Sequence, residues 1–167
     1  MTHLTIRSFD AADWPALWPF LHATIAAGDT FAWAPESTEE EIREAWTDYP
    51  LATFVATLDS RIVGSYFIKP NQPGLGSHVC NAGYCVDPQA RGRGIAAAMC
   101  EHSLREARAR GFAAMQFNFV IATNEPAVHL WQKLGFAIVG RLPGAYRHAR
   151  LGAVDALVMF RTLQNVR

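Results

Sequence analysis

The segment 86–96 constrains the fold of this chain most. A β-rich run ends at Val86, a proline stops the strand, a turn rich in glycine and arginine follows, and an amphipathic helical pattern begins at Ile95. The N–H groups in the first turn of a helix have no partners within that helix, and the helix dipole adds positive potential there. Gly92 and Gly94 permit positive φ angles and a close approach of the backbone to a phosphate. The sequence therefore predicts a strand–turn–helix unit that binds a pyrophosphate or a similar dianion.

Two other phosphate-binding turns do not match this segment. A nucleoside-triphosphatase loop requires Lys-Ser/Thr after its last glycine, and Ile95 and Ala96 occupy those positions. A dinucleotide-binding turn has the form GxGxxG, and Ala97 occupies the position of the third glycine. In the phosphate-binding interpretation Arg91 and Arg93 add positive charge. The alternative is a tight strand-to-helix connection in which these arginines bind no ligand.

Hydrophobic periodicity and turn residues predict one mixed α/β domain over residues 1–167. No repeat, low-complexity run or linker divides the chain. The patterns predict the order β-α-α-β-β-β-α-β-α-β-β. The predicted strands are 5–9, 53–58, 62–69, 78–86, 113–122, 136–140 and 154–163. The predicted helices are 13–27, one capped by Ser37 or Thr38, 95–110 and 124–134.

Composition excludes several classes of function. Fifteen Lys and Arg balance 15 Asp and Glu, which argues against a nucleic-acid binder that relies on a strong positive field. No stretch approaches about 18 consecutive apolar residues, so no membrane span is expected. The first ten residues lack a signal-peptide pattern, which indicates a cytoplasmic protein. The three cysteines have no CxxC spacing and the histidines no metal-ligand spacing, so neither a disulfide framework nor a metal site is expected.

A second motif lies one predicted strand further along the chain. The helix predicted over 124–134 opens with Asn124-Glu-Pro-Ala127 and is followed by Gly135-Phe136. Together the two segments resemble the motifs of the GNAT superfamily (GCN5-related N-acetyltransferases), which are Arg/Gln-x-x-Gly-x-Gly/Ala after a Val-x-Pro strand end, and a later Asn-x-x-Ala…Gly-Phe helix. The first motif can be aligned with the sequence in two registers, one beginning at Gln89 and one at Arg91. The spacing from Val-x-Pro that is usual in the family selects the second.

The resemblance implies an α/β GNAT fold, with a mixed central sheet of about seven strands flanked by about four helices, and acetyl-CoA as the donor. Asn124 would hydrogen-bond the pantetheine arm, although a plain helix cap is an alternative. The backbone at Val86, on a bulged strand, would pair with the pantetheine, and an amide there would polarise the thioester carbonyl. Many relatives are dimers, so a homodimer is expected. The amides that would cradle the CoA pyrophosphate belong to Arg91, Gly92, Arg93, Gly94, Ile95 and Ala96.

One position departs from the family pattern. Many GNAT proteins supply a tyrosine from the second helix as general acid to the thiolate, and Trp131 stands there in this chain. An indole cannot protonate a thiolate, but a thiol with a pKa of about 8.5 needs little help to leave. Tyr84, Tyr146 or Cys85 are alternative acids. Core packing is the favoured interpretation of Trp131.

Residues 117–124 and 154–156 resemble a smaller GNAT branch, which includes a yeast acetyltransferase acting on azetidine-2-carboxylate and proline-related imino acids. The matching asparagine there is associated with substrate orientation and catalysis, so Asn118 is the candidate catalytic residue, facing away from Phe117 and Phe119. Some further residues contact either the substrate or the protein core. These are Phe31 and Trp33, in the loop that roofs the acceptor site in the family, and His78 and Asn81, polar residues in the strand before the turn.

The expected function is transfer of the acetyl group of acetyl-CoA to the amine of a small molecule. An amino acid, an imino acid or a related amine would attack directly in a ternary complex, without a covalent acyl-enzyme. One alternative is a protein N-terminal or lysine acetyltransferase, which an acidic and open groove would favour. The other is an acyl-CoA-binding module without turnover, which Trp131 suggests.

Overall fold

The computed structural model describes residues 3–166, in which seven strands form one mixed sheet with the order β1-β2-β3-β4-β5-β7-β6. All pairs are antiparallel except the parallel pair β4–β5. The strands are β1 (Leu4–Ser8), β2 (Ala52–Leu58), β3 (Arg61–Pro70), β4 (Val79–Val86), β5 (Ala114–Ile121), β6 (Ala137–His148) and β7 (Gly152–Thr162). The main helices are α1 (Trp14–Ala26), α2 (Glu39–Arg43), α3 (Ile95–Ala109) and α4 (Glu125–Lys133). The predicted fold class is confirmed.

The helices cover both faces of the sheet. On one face, Met99 and Leu104 of α3 and Trp131 of α4 are buried against the strands. On the other face, Leu17 of α1 packs together with Trp46, which lies in a π-helical turn that continues α2. Strands β2, β3 and β4 therefore contribute side chains to hydrophobic clusters on both faces of the sheet.

Strand β6 is longer than predicted. The prediction ended it at residue 140, yet the strand runs from Ala137 to His148 and includes Pro143 and Gly144. Its register with β7 shifts between Leu142 and Tyr146, and the N–H of Gly144 donates to Asp155 Oδ1 at 2.9 Å. An edge strand accommodates a proline at such an irregularity without losing its pairing beyond it.

Strands β4 and β5 diverge, and this divergence positions the site. They pair only at Val79–Ala114 and Cys80–Met115. The bulge that the resemblance implied in β4 is absent from its pairing with β3, whose register runs without a shift. The N–H of Asp87 donates to Val63 O at 2.8 Å. Because the backbone groups of a strand alternate between its two neighbours, the N–H groups of Val86 and Tyr84 point away from β3 into the gap beside β5.

Strand β5 carries a bulge at its centre. Its register with β7 shifts between Phe117 and Val120. Phe117 stacks on Phe136 among the residues beneath α3 and α4, whereas Phe119 contacts Tyr146. The prediction that Phe117 and Phe119 share one side was therefore wrong, because the extra residue in the strand breaks the alternation.

No helix within residues 3–166 combines the length and the apolar character needed to cross a membrane. In the same range, no three or more His, Cys, Asp and Glu side chains are arranged to hold a metal ion. The three cysteines are free and buried.

Candidate active site

A cavity of about 750 Å³ opens where β4 and β5 diverge. Its walls come from β4, β5, the start of α3, the start of α4 and the loop 30–33. This volume lies within the range of small-molecule sites. The structure brings most of the predicted site residues together here, namely Phe31, Trp33, Asn81, Val86, Arg91, Gly92, Gly94, Ile95, Ala96, Asn118 and Asn124.

Two predicted site residues do not line this cavity. His78 is exposed and precedes β4, and its carbonyl accepts from the N–H of Ala113 at 2.8 Å. It therefore lies at the end of β4 where the two strands still pair, outside the cavity wall. Arg93 is exposed between two glycines and contributes no atom to the cavity wall.

The turn before α3 has the geometry of an anion-binding site. Gly92 and Gly94 have φ angles of 77° and 73°, which favour glycine. A Cβ at either position would meet no atom within 4 Å, so the turn faces open space. The first helical bond runs from the N–H of Ala98 to Gly94 O at 3.0 Å. The amides of Ile95 and Ala96, at the cavity wall, therefore have no partner within the helix.

An ion pair neutralises the acidic residue beside this turn. Asp87 is buried, pairs with Arg61, and accepts from the N–H of Gln89 at 2.9 Å. Its charge is therefore compensated before the turn begins, and Arg91 remains at the cavity wall. The local potential favours an anion although the whole chain is neutral.

Asn124 caps a helix at the wall of the cavity, and its contact with the pantetheine arm stays a prediction. It is the N-cap of α4, with Oδ1 accepting from the N–H of Ala127 at 3.4 Å, and it also lines the cavity. Among residues 3–166, its Nδ2 has no hydrogen-bond partner. The side-chain amide therefore has donors available for a ligand, while its oxygen caps the helix.

Amide side chains form a second polar region in the gap. Gln116 Nε2 donates to Asn118 Oδ1 at 2.9 Å, and Asn118 Nδ2 donates to Asn71 Oδ1 at 2.6 Å. Asn81 Nδ2 reaches across the gap to Gln116 O at 2.9 Å. Sequence reasoning missed Asn71, Gln116 and the nearby Lys69, since an isolated polar residue in or beside a strand carries no recognisable pattern.

Aromatic side chains close the cavity on the α1 side. The rings of Phe31 and Trp33 lie 5.3 Å apart between centroids, and both pack on the buried Trp46, at 5.7 Å and 6.1 Å. The hydroxyl of Tyr146 donates to Phe31 O at 3.0 Å and holds the loop in place. Phe31 and Trp33 therefore pack on the core and also line the cavity, and their contact with a substrate stays a prediction.

No predicted substitute for the missing tyrosine presents an acidic group to the cavity. Tyr84 contributes to the wall, but its hydroxyl is 2.6 Å from Ser103 Oγ, and burial raises its pKa well above the usual value. Burial raises the pKa of Cys85 to about 12, beside Thr24. The hydroxyl of Tyr146 is used in its hydrogen bond to Phe31 O, and Tyr146 does not line the cavity. Trp131 packs on Tyr84 at 5.0 Å between ring centroids, as a core residue does.

The comparison with known families decides to which family the chain belongs. The sequence profile described as "Acetyltransferase (GNAT) family" matches residues 14–136. The chain belongs to the GNAT family. The predicted resemblance and the predicted class of enzyme, an N-acetyltransferase, are confirmed. Proteins of this GNAT family use acetyl-CoA, and the unpaired amides at the start of α3 fit its pyrophosphate.

Three relatives illustrate the match of this GNAT chain to known proteins. A GCN5-related N-acetyltransferase from Kribbella flavida is 42% identical, with a TM-score of 0.91 over 95% of this chain and 97% of that chain. N-acetyltransferase aca1 of Schizosaccharomyces pombe is 38% identical over 109 residues, 65% of this chain and 52% of aca1. L-amino acid N-acetyltransferase AaaT of Escherichia coli is 29% identical over 148 residues, 84% of this chain and 86% of AaaT. This chain thus spans about half the length of aca1.

Proposed function

We propose that this protein transfers the acetyl group of acetyl-CoA to the amine of a small amino acid, imino acid or related amine. The observation that carries the proposal is the composition of the single cavity between β4 and β5. One end is the phosphate-binding turn of α3, and the other is an amide cluster under an aromatic roof. A donor and a small acceptor would bind side by side and react directly.

The donor half would use backbone groups and one side chain. The amides at the start of α3, with Arg91, would bind the pyrophosphate, and Asn124 Nδ2 would donate to the pantetheine arm. The inward N–H of Val86 or Tyr84 would donate to the carbonyl oxygen that becomes negative during transfer. Bound acetyl-CoA supplies a thioester carbonyl for the amine to attack. Because Cys85 is buried and its pKa is raised to about 12, a covalent acyl-enzyme is disfavoured.

The acceptor half favours a small molecule over a protein. No Asp or Glu of the described chain lines the cavity, so the acidic groove expected for a basic protein substrate is missing. Phe31, Trp33 and Phe119 line the acceptor side. The AaaT relative is named for L-amino acids, which supports an acceptor of that size.

The pH dependence of the reaction is expected to follow the acceptor. Within residues 3–166, no Asp, Glu or His side chain lines the cavity wall, and these are the side chains that most often act as general bases. The pKa of Tyr84 is raised, so its phenolate forms only at still higher pH. We therefore expect kcat/KM for the acceptor to rise about tenfold per pH unit until the acceptor amine itself is neutral.

Rate profiles with two acceptors of different amine pKa test this expectation. The inflection is predicted to move with the acceptor. A plateau that begins near pH 7 with both acceptors would reveal an enzymic base and contradict the interpretation.

The replacement Asn118→Ala is expected to lower kcat by about 10²-fold while acetyl-CoA affinity stays unchanged, the size of effect seen when one positioned hydrogen-bonding group is lost. Asn118 would orient the acceptor amine through the free lone pair of Oδ1 and the second N–H of Nδ2. Steady-state kinetics and calorimetric titration of acetyl-CoA measure the two quantities.

The matched control is Asn71→Ala, which removes the partner of Asn118 but no group proposed to touch substrate. We expect at most a few-fold loss of kcat in this variant. Equal losses in the two variants would mean that the hydrogen bond between Asn118 and Asn71 has only a structural role.

The function itself is tested by thiol release from acetyl-CoA with a panel of acceptors. The panel contains the protein amino acids, L-azetidine-2-carboxylate, simple amines and peptides with free N-termini, and mass spectrometry identifies the acetylated product. We expect amino or imino acids to give the highest rates. Binding of CoA without acceptor-dependent thiol release would favour the non-catalytic module, and a preference for peptides would favour the protein acetyltransferase.

We also propose that the protein is a homodimer. The edge strand β6 exposes Ile138, Val139 and Leu142, and an apolar sheet edge of this kind favours association. Light scattering after size-exclusion chromatography measures the mass, and a monomer at micromolar concentration would refute the proposal.

A cytoplasmic location is proposed as well. All three cysteines are free, as is typical of a reducing compartment. Cell fractionation with antibody detection tests the location, and recovery outside the cytoplasmic fraction would refute it.

A further inference from the structure

Among residues 3–166, Lys69 is the one basic side chain on the acceptor half of the cavity. The chain contains only two lysines, Lys69 and Lys133. Lys69 is the penultimate residue of β3, is half-buried, and lines the cavity. Its Nζ lies 5.6 Å from the centroid of the Phe67 ring. Among residues 3–166, no carboxylate forms an ion pair with it, and no carboxylate lines the cavity.

The neighbours of Lys69 are the amide cluster. It pairs across the strands with Asn81, and Asn71, two residues further on, accepts from Asn118 at 2.6 Å. The phosphate-binding turn lies beyond the opposite end of β4, where Val86 pairs with Gly64. The cation therefore stands with Asn81 and Asn118 at the acceptor end, apart from the groups that fit the donor.

The ammonium of a half-buried lysine without a carboxylate partner is a favourable place for an anion. The Phe67 ring and the neighbouring amides leave its charge uncompensated, because neither carries a negative charge. An amino or imino acid has a carboxylate beside its amine. If the carboxylate binds Lys69, the amine is held at a short and fixed distance from the ammonium, because one carbon atom joins the two groups.

We propose that Lys69 selects the acceptor by binding its carboxylate, so that the enzyme acetylates amino or imino acids and discriminates against amines, amides and peptides that lack a carboxylate at this position. This inference rests on the proposed function and names the substrate class of the same site. The amide donors of Asn118 and Asn81 border the position of that carboxylate. The neutral amides therefore orient the acceptor, and Lys69 supplies the charge recognition.

The test compares each amino acid of the panel with its primary amide, for the wild-type protein and Lys69→Met. The amide has the lower amine pKa and hence more neutral amine, so a preference for the acid must come from recognition of the carboxylate. For the best acid, we expect wild-type kcat/KM to exceed that of its amide by at least tenfold. Lys69→Met should lose this preference through a higher KM for the acid, with KM for acetyl-CoA unchanged.

Two further variants separate charge recognition from structural damage. Lys69→Arg keeps the positive charge and is expected to retain the preference for the acid. Lys133→Met removes the other lysine, which is exposed in the last turn of α4. This variant should leave the acid-to-amide ratio of kcat/KM unaltered. An equal acid-to-amide ratio in the wild-type protein and Lys69→Met would overturn the proposal.

A binding measurement keeps this inference distinct from the proposed function. The same acids and amides are titrated calorimetrically into the CoA-bound protein, which requires no turnover. If nothing is acetylated but acids bind in a manner that depends on Lys69, the proposed function fails and the carboxylate site stands. If no acid binds, or if acids bind equally to Lys69→Met, the carboxylate site is refuted.

Discussion

Replacing Gly94 with glutamate should raise the Kd for acetyl-CoA by at least about 10²-fold, which is about 2.7 kcal/mol of binding free energy. Gly94 has a φ angle of 73°, and a side chain there costs about 1–2 kcal/mol in the left-handed region. Its Cβ would point into open space before α3. The added carboxylate would bind the free amides at the start of that helix and compete with the pyrophosphate. Calorimetric titration of acetyl-CoA measures the effect.

Gly111 provides the control for backbone strain. It has a φ angle of 87°, and a Cβ there would also meet no atom within 4 Å, but it follows the C-terminal end of α3. The variant Gly111→Glu should therefore show a similar loss of stability with little change in the Kd. If Gly94→Glu binds acetyl-CoA as tightly as the Gly111 variant, the phosphate site has been placed wrongly.

The variant Trp46→Ala should lower the free energy of unfolding by about 3–5 kcal/mol, as is typical of truncating a large buried aromatic residue. Trp46 has no exposed surface, and its Nε1 donates to Ser65 Oγ at 2.9 Å. Its ring packs against Phe67 at 5.0 Å and supports Phe31 and Trp33. Loss of this support should also raise KM for the acceptor more than KM for acetyl-CoA.

Urea denaturation and steady-state kinetics measure the two effects of Trp46→Ala. The control is Trp18→Ala, which removes a half-buried ring that stacks on Trp14 and lies outside the roof. We expect a smaller loss of stability and an unchanged acceptor KM for this control. A loss below about 0.5 kcal/mol for Trp46→Ala would contradict the packing described above, since changes of that size are typical of surface positions.

The donor half could be predicted from sequence because its determinants are local. Positive φ at Gly92 and Gly94 and the helix that starts at Ile95 follow from a short run of residues, and the structure has them as expected. Asn124 begins its helix in the same way. Glycine conformation and helix capping depend on neighbours within a few residues, so periodicity and turn chemistry were sufficient.

The acceptor half depends on long-range pairing, and prediction was poorer there. The gap exists because β4 and β5 pair at only two positions, and nothing in either strand marks where the pairing stops. The bulge that separates Phe117 from Phe119 is likewise a property of register with β7. Lys69 shows the consequence, since it resembles an ordinary polar strand end until β4 and β5 are placed around it. His78 shows the converse, because this polar residue lies directly before β4 and yet does not line the cavity.

A crystal structure with CoA and an amino acid tests the central claim most directly. The claim is that the β4–β5 gap holds both substrates for direct transfer. We predict that the pyrophosphate contacts the amides at the start of α3, that the pantetheine lies along Val86, and that the amino acid lies between Asn118 and Lys69. CoA bound outside this gap, or an amino acid whose amine cannot approach the end of the pantetheine, would contradict the account.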